Sequence, residues 1–216
     1  MKKMVLVTGA TQGTGYAVAK KFGSEGCDVC ITSRDADRAA EAAAMLKEEC
    51  GGTIETFGYG LEVLNEEQMK AMFDDLEAKG HLVSALVLVA ANMGINMPNF
   101  LEVDFNDWIR VIDTNIGWNF MFCRQATRHM LKQGGGSIVV VGSVNGIRTT
   151  KNRSAYCTSK SGLHGLARNL AVELGPVNIR VNTIVAGGIK TARYWARPEI
   201  HDSVHNKNPM GDIAEF

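Results

Sequence analysis

Residues 5–22 read "VLVTGATQGTGYAVAKKF": a short apolar run, a turn carrying Gly9, Gly13 and Gly15, and the start of a helical pattern. Glycine is needed there for a physical reason. The chain must turn tightly, and a side chain would keep a pyrophosphate away from a helix N-terminus, where free amides and the helix dipole favour anions. A glycine pattern alone is a weak signal, and a plain tight turn is its ordinary alternative. This one follows a strand, opens a helix and lies in the first βαβ unit, the context that predicts a dinucleotide site.

The rest of the chain fits one such domain. Its 216 residues suit a single α/β core and are short for two independent ones. The 23 basic and 23 acidic residues cancel with no block of like charge, which points away from nucleic acid and anionic membrane and towards a small-molecule partner. The apolar run at residues 4–8 is too short for a signal or a membrane span, and a cytoplasmic protein is expected. Five cysteines without regular spacing predict reduced thiols. Cys27 and Cys30 make a C-x-x-C, but three apart on a strand they face opposite ways.

Apolar strand patterns at about 4–8, 28–33, 53–58, 83–90, 137–142 and 179–185 alternate with helical ones near 14–25, 36–50, 65–79, 105–132 and 154–174. That alternation predicts a single-domain, Rossmann-like, doubly wound parallel sheet of order 3-2-1-4-5-6. Local signals support the boundaries. Asn65 and Gln68 form a capping-box variant, Asp104 and Asn106 offer caps before "WIRVI", and "CGG" at 50–52 ends the second helix. From Thr191 onward the periodicity weakens, predicting a loop with short helices.

"SAYCTSK" at 154–160 sets Tyr156 and Lys160 four positions apart, on one face of a helix. A tyrosine hydroxyl ordinarily ionises near pH 10, so its phenolate is rare at neutrality. A cation about 4 Å away contributes on the order of 4 kcal/mol at an effective dielectric of about 20, enough to bring that value towards about 7 before desolvation opposes it. An exposed helical pair is the plain alternative.

With Thr8, the spacing G-x-x-x-G-x-G and Y-x-x-x-K resembles the short-chain dehydrogenase/reductase family over residues 4 to about 191. The resemblance implies an NAD(P)(H)-dependent enzyme interconverting a carbonyl and a secondary alcohol by hydride transfer. Tyr156 would be the acid/base and Lys160 its electrostatic partner and a ribose ligand. Ser143, closing "GSIVVVGS", would hydrogen-bond the substrate oxygen, and Asn115 in "DTNIGWNF" would hold a relay water. Cofactor contacts would come from Gly9, Thr11, Gln12, Gly13, Thr14, Gly15, Ser33, Arg34, Glu62, Asn92, Gly94, Tyr156, Lys160, Ile189 and Thr191.

The second strand ends "CITSRDAD", with Ser33 where NAD-preferring relatives carry Asp and with Arg34 next. A guanidinium can clamp a 2′-phosphate, so NADP(H) is favoured over NAD(H). The alternative makes Arg34 a solvated residue and Asp35 the ribose partner. Three segments depart from the family pattern. Ala186 replaces a proline in "VAGGIKT", "AANMG" keeps only Asn92 and Gly94 of N-N-A-G, and Glu62 replaces an Asp. Relatives continue beyond "NPMGDIAEF" into a further helix and strand, so a shortened C-terminus over 191–216 without that strand is expected, and the sixth strand would then be an edge.

Substrate is expected to approach past Met93, Asn145, Ile147, Arg148 and the loop holding Arg193, Tyr194 and Trp195. A sugar, a steroid, a β-ketoacyl thioester and a simple ketone all fit that description. A hydrolase centred on Ser143 lacks G-x-S-x-G. His201 and His205 lack a third ligand in register, so no metal is expected. A nicotinamide-binding protein without turnover is the remaining alternative. By resemblance, helices 105–132 and 154–174 pair between subunits of a homodimer or homotetramer.

Overall fold

The structure, a computed structural model, describes residues 2–94, 99–196, 198, 201 and 209–215. Six parallel strands, β1 (Met4–Thr8), β2 (Asp28–Ser33), β3 (Thr56–Gly60), β4 (Val83–Leu88), β5 (Gly136–Val141) and β6 (Ile179–Ile184), stand in the order β3-β2-β1-β4-β5-β6. The helices are α1 (Gly13–Ser24), α2 (Ala36–Glu49), α3 (Glu66–Ala78), α4 (Phe105–Ile112), α5 (Trp118–Lys132), α6 (Ser154–Leu174) and the short α7 (Ala192–Trp195).

Strand periodicity builds two cores. Met4 and Leu6 of β1 and Cys30 of β2 face one layer, where Phe73 of α3, Phe122 of α5 and Leu163 of α6 cover them. Val5, Val7, Val29 and Ile31 face the other, against Ala19 of α1 and Ala42 and Leu46 of α2. Cys30 and Cys27 accordingly belong to different layers, and all five cysteines are free thiols. No helix among the described residues is long and apolar enough to cross a membrane.

The expected caps are in place. Asn65 accepts from the Gln68 amide at 3.0 Å and Asp104 from the Asn106 and Asp107 amides at 2.9 and 3.1 Å, while Gln68 reaches back to the Glu62 amide at 2.8 Å. Cys50 caps α2, and Gly51 and Gly52 take left-handed φ of 74° and 70° beyond it.

Two elements differ from the sequence reading. The third strand runs 56–60 rather than 53–58, pairing Thr56 with Val29 and Gly60 with Ser33. Its glycines weaken the strand signal, yet packing requires one at 58, where a Cβ would lie 2.1 Å from the Ala39 carbonyl oxygen of α2. The helix expected over 105–132 is interrupted by a π-turn at Asp113–Gly117. Such a turn inserts one residue into the repeat and disturbs the carbonyl pairing around it.

In a parallel sheet every connection leaving a strand's carboxyl end emerges on one edge. The order reverses at β1 and β4, the switch point where such sheets bind ligands. Beside it stand the glycine turn after β1, Asn92–Gly94 after β4 and Ser143 after β5.

Candidate active site

The glycine turn has the shape a dinucleotide needs. Gly9 and Gly13 have φ of 64° and 57°, which favour glycine. The Gly9 amide donates to the Thr32 carbonyl at 2.9 Å, and a Cβ there would press on Ala90 at 3.0 Å. A Cβ on Gly15 would stand 2.5 Å from the Gly9 oxygen, whereas one on Gly13 would project into open space. Gln12 is extended and its side chain makes no capping bond, so the first amides of α1 are left to an external anion. Thr8, fully buried, accepts from the Val89 and Ala90 amides at 3.0 and 3.1 Å and ties the β4 exit to this turn.

Thr11 and Thr14 flank the open side of that turn, half-buried. Expected result: Gly15→Ala weakens dinucleotide binding at least about tenfold, because the Gly9–Ala10 backbone must move. A fluorescence titration checks it, and unchanged affinity would show that the turn does not hold the phosphates.

At the end of β2, Ser33 accepts from the Asp35 amide at 3.2 Å. Asp35 is the N-cap of α2, its carboxylate accepting from the Arg38 amide at 3.1 Å, while Arg34 is exposed. The Leu61 amide donates to the Ser33 carbonyl at 2.8 Å, bringing the exposed Glu62 alongside.

On α6, Tyr156 is 9% and Lys160 3% exposed. The Lys160 Nζ donates to the Val141 carbonyl at 3.0 Å and lies 5.8 Å from the Tyr156 ring centre. Burial brings its pKa down to about 8, so the ammonium is held where water does not screen it.

Asn115 lies within the π-turn, fully buried. Its Oδ1 accepts from the Asn92 amide at 2.7 Å, and its Nδ2 donates to the Asn92 carbonyl at 2.8 Å and to Ser159 Oγ at 2.9 Å. Ser159 in turn donates to the Tyr156 carbonyl at 2.8 Å. The Asn115 side chain thus clamps the β4 exit to α6, and its own carbonyl accepts from Asn119 at 2.8 Å. Asn92 Oδ1 accepts from the Gly94 amide at 2.9 Å, setting the left-handed Gly94.

Ser143 closes β5, its Oγ accepting from the Asn145 amide at 3.1 Å, and Ser161 of α6 donates to the Gly146 carbonyl at 2.9 Å. A cleft reaching Tyr156 is lined by Met93, Gly94, Trp108 and Val111. Trp108, on α4, did not stand out in the sequence. Ile147 and Trp195 are 69% and 58% exposed, Arg148 is exposed, and Asn145 is occupied by the Thr150 hydroxyl at 2.8 Å.

Tyr194 lies on the loop expected beside the substrate. It is buried and stacks on His201 at 4.1 Å, and the His201 ring nitrogen contacts its carbonyl at 3.0 Å. His205 and the Arg193 side chain lie outside the described residues and atoms. Ile189 bridges to Ala214, and Thr191 caps α7 with its backbone. Sequence alone gives Thr8, Ser159 and His164 no role in the site. Their signals were position only: before the first glycine, between Tyr156 and Lys160, and one turn beyond Lys160.

A family model described as short chain dehydrogenase matches residues 3–199. The chain is 34% identical over 190 residues to the 3-oxoacyl-acyl-carrier-protein reductase FabG of Aquifex aeolicus, covering 88% of this chain and 75% of that one. It is 34% identical to the 3beta-hydroxysteroid dehydrogenase of Mediterraneibacter gnavus, covering 88% and 67%. The solved structure of a 7α-hydroxysteroid dehydrogenase complexed with NADH and 7-oxo glycochenodeoxycholic acid superposes with a TM-score of 0.89 at 27% identity, over 99% of this chain and 82% of that one.

Proposed function

Because the chain belongs to the short-chain dehydrogenase/reductase family and is an NAD(P)(H)-dependent oxidoreductase interconverting a carbonyl and an alcohol, we propose that Tyr156 is its acid/base. The observation that carries the assignment is Lys160, a buried ammonium one helical turn from Tyr156. The nicotinamide supplies or accepts a hydride when bound. Tyr156 gives its hydroxyl proton to the nascent alkoxide in reduction and takes one from the alcohol in oxidation. Lys160 stabilises the phenolate left behind. Ser143 donates a hydrogen bond to the same oxygen as charge grows on it. Asn115 and Ser159 hold the β4 exit against α6.

The residues present fit a dinucleotide: Gly15 lets α1 close onto the Gly9–Ala10 backbone behind the turn, and the open side of Gly13 leaves room for phosphate. Ser33, Arg34 and Glu62 would hold the adenosine, Asn92 and Gly94 the adenosine ribose, and Ile189 and Thr191 the carboxamide. NADP(H) is the favoured form, since Asp35 is committed to capping α2 and Arg34 is exposed beside it. Arg34→Ala weakens NADPH binding on the order of tenfold or more and NADH binding little, as loss of a charge-assisted phosphate contact predicts. Equal losses in paired titrations would remove the phosphate role.

The substrate is a ketone entering past Met93, Ile147 and Trp108. A panel of acetoacetyl-CoA and a 3-oxosteroid, followed by loss of NADPH absorbance, tests the reading. Binding of NADPH without turnover of any ketone would overturn it. We also infer one catalytic domain over 1–216 with Thr191–Trp195 beside the substrate, a cytoplasmic location in keeping with the free thiols, and a homodimer or homotetramer through α4–α5 and α6. The exposed Phe105 and Phe120 support that association, which light scattering measures.

A further inference from the structure

His164 lies on α6, one turn beyond Lys160 and two beyond Tyr156, and is 7% exposed. Its ring is seated between the glycines on either side of Ser143. A Cβ at Gly142 would come within 2.2 Å of Nε2, and one at Gly146 within 2.6 Å of Cε1. Gly142 and Val144 donate their amides to Ile184 and Ala186 on the β6 side at 2.8 and 2.9 Å. The Ser143 amide between them is directed the other way by strand alternation, at a point where β4 has already ended. It donates instead to Nε2 of His164 at 3.3 Å.

We propose that His164 is a positioning residue for the reduction and oxidation steps, its unprotonated Nε2 holding the backbone of Ser143 in register with Tyr156. The proposal rests on the assignment of Ser143 to the substrate oxygen. Accepting through Nε2 places the ring proton on Nδ1. A second proton would turn Nε2 into a donor facing a donor and release the serine loop.

The fold favours the neutral ring. Burial lowers the His164 pKa first, and the positive charges of Lys160 and Arg168, both on its own helix, lower it further. From β5 and the serine loop it meets uncharged groups, the glycine backbone and the Ser143 amide, and on the β6 side the space at Gly142 is bordered by the Thr183 methyl. The sign follows. His164 is neutral and the serine held at neutral pH, and both are lost as pH falls through a value below the ordinary 6.5.

The test uses isotope-labelled full-length protein with NADPH, and acetoacetyl-CoA as substrate. The Ser143 amide resonance and the His164 ring carbon shift together with one inflection on the acid side, and kcat declines with it. His164→Gln keeps an acceptor near the Nε2 position, stays within about threefold of wild-type kcat at pH 7 and loses that acid limb. His164→Leu lowers kcat on the order of 10- to 100-fold, as displacement of a reacting group by an ångström predicts, with NADPH affinity unchanged.

A Ser143 amide that ignores the His164 titration overturns the proposal. So does an acid limb surviving in H164Q, or wild-type kcat in H164L. If H164L does not fold, the resonance coupling and the H164Q profile decide. Ser143→Ala with wild-type kcat would instead remove the assignment of Ser143, a failure distinct from loss of the resonance coupling.

Discussion

Tyr156→Phe lowers kcat on the order of 10³-fold or more while leaving NADPH affinity nearly unchanged. The two side chains share a shape, and Tyr156 is set into the N-terminal part of α6 by its backbone, with Ser159 bonding its carbonyl. The ring of the phenylalanine therefore occupies the same place. What disappears is the proton that the nascent alkoxide takes. Stopped turnover with intact fluorescence enhancement on NADPH binding is the expected pair of results. A variant retaining a tenth or more of wild-type kcat would move the acid/base role to another group.

Lys160→Met separates catalysis from stability. Turnover falls on the order of 10²- to 10³-fold, because the phenolate loses its stabilising charge. The folded protein at pH 7 becomes more stable. Burial holds the ammonium pKa at about 8 against an ordinary 10.5, a cost of about 3 kcal/mol to the charged form, partly offset by its bond to Val141. The net gain of about 1 kcal/mol raises Tm by roughly 2–4 °C in a chain of this size.

The sign with pH is fixed by that lowered value. Between pH 8 and 10.5 the native lysine has lost its proton while the unfolded one keeps it, so wild-type stability climbs relative to the variant as pH rises through that window. Melts of both proteins across that range check it. A lower Tm for the variant at pH 7, together with preserved turnover, would show that the buried cation is a structural device.

The calling signs of this fold were local. The Gly9, Gly13 and Gly15 turn, the caps at Asn65 and Asp104, and the alternation of strand and helix patterns lie among near neighbours, and the structure reproduces them. The Tyr156–Lys160 pair was legible for the same reason, since a separation of four is set by the helix repeat alone. Other parts of the site depend on contacts between residues far apart in the chain. The inward turn of Asn115 needed the π-turn that joins α4 to α5, a small change in backbone pairing that apolar periodicity does not register.

By itself, then, the sequence determined a doubly wound sheet, a phosphate-sized glycine turn and a tyrosine paired with a lysine, because each is written in spacings of a few residues. Only the tertiary structure decided that β3 presses its glycines onto α2, that Asn115 and Ser159 fasten the β4 exit to α6, and that His164 lies beneath Ser143. Those contacts join segments about 20 or more residues apart, and their partners are chosen by the close packing of layers rather than by any local repeat.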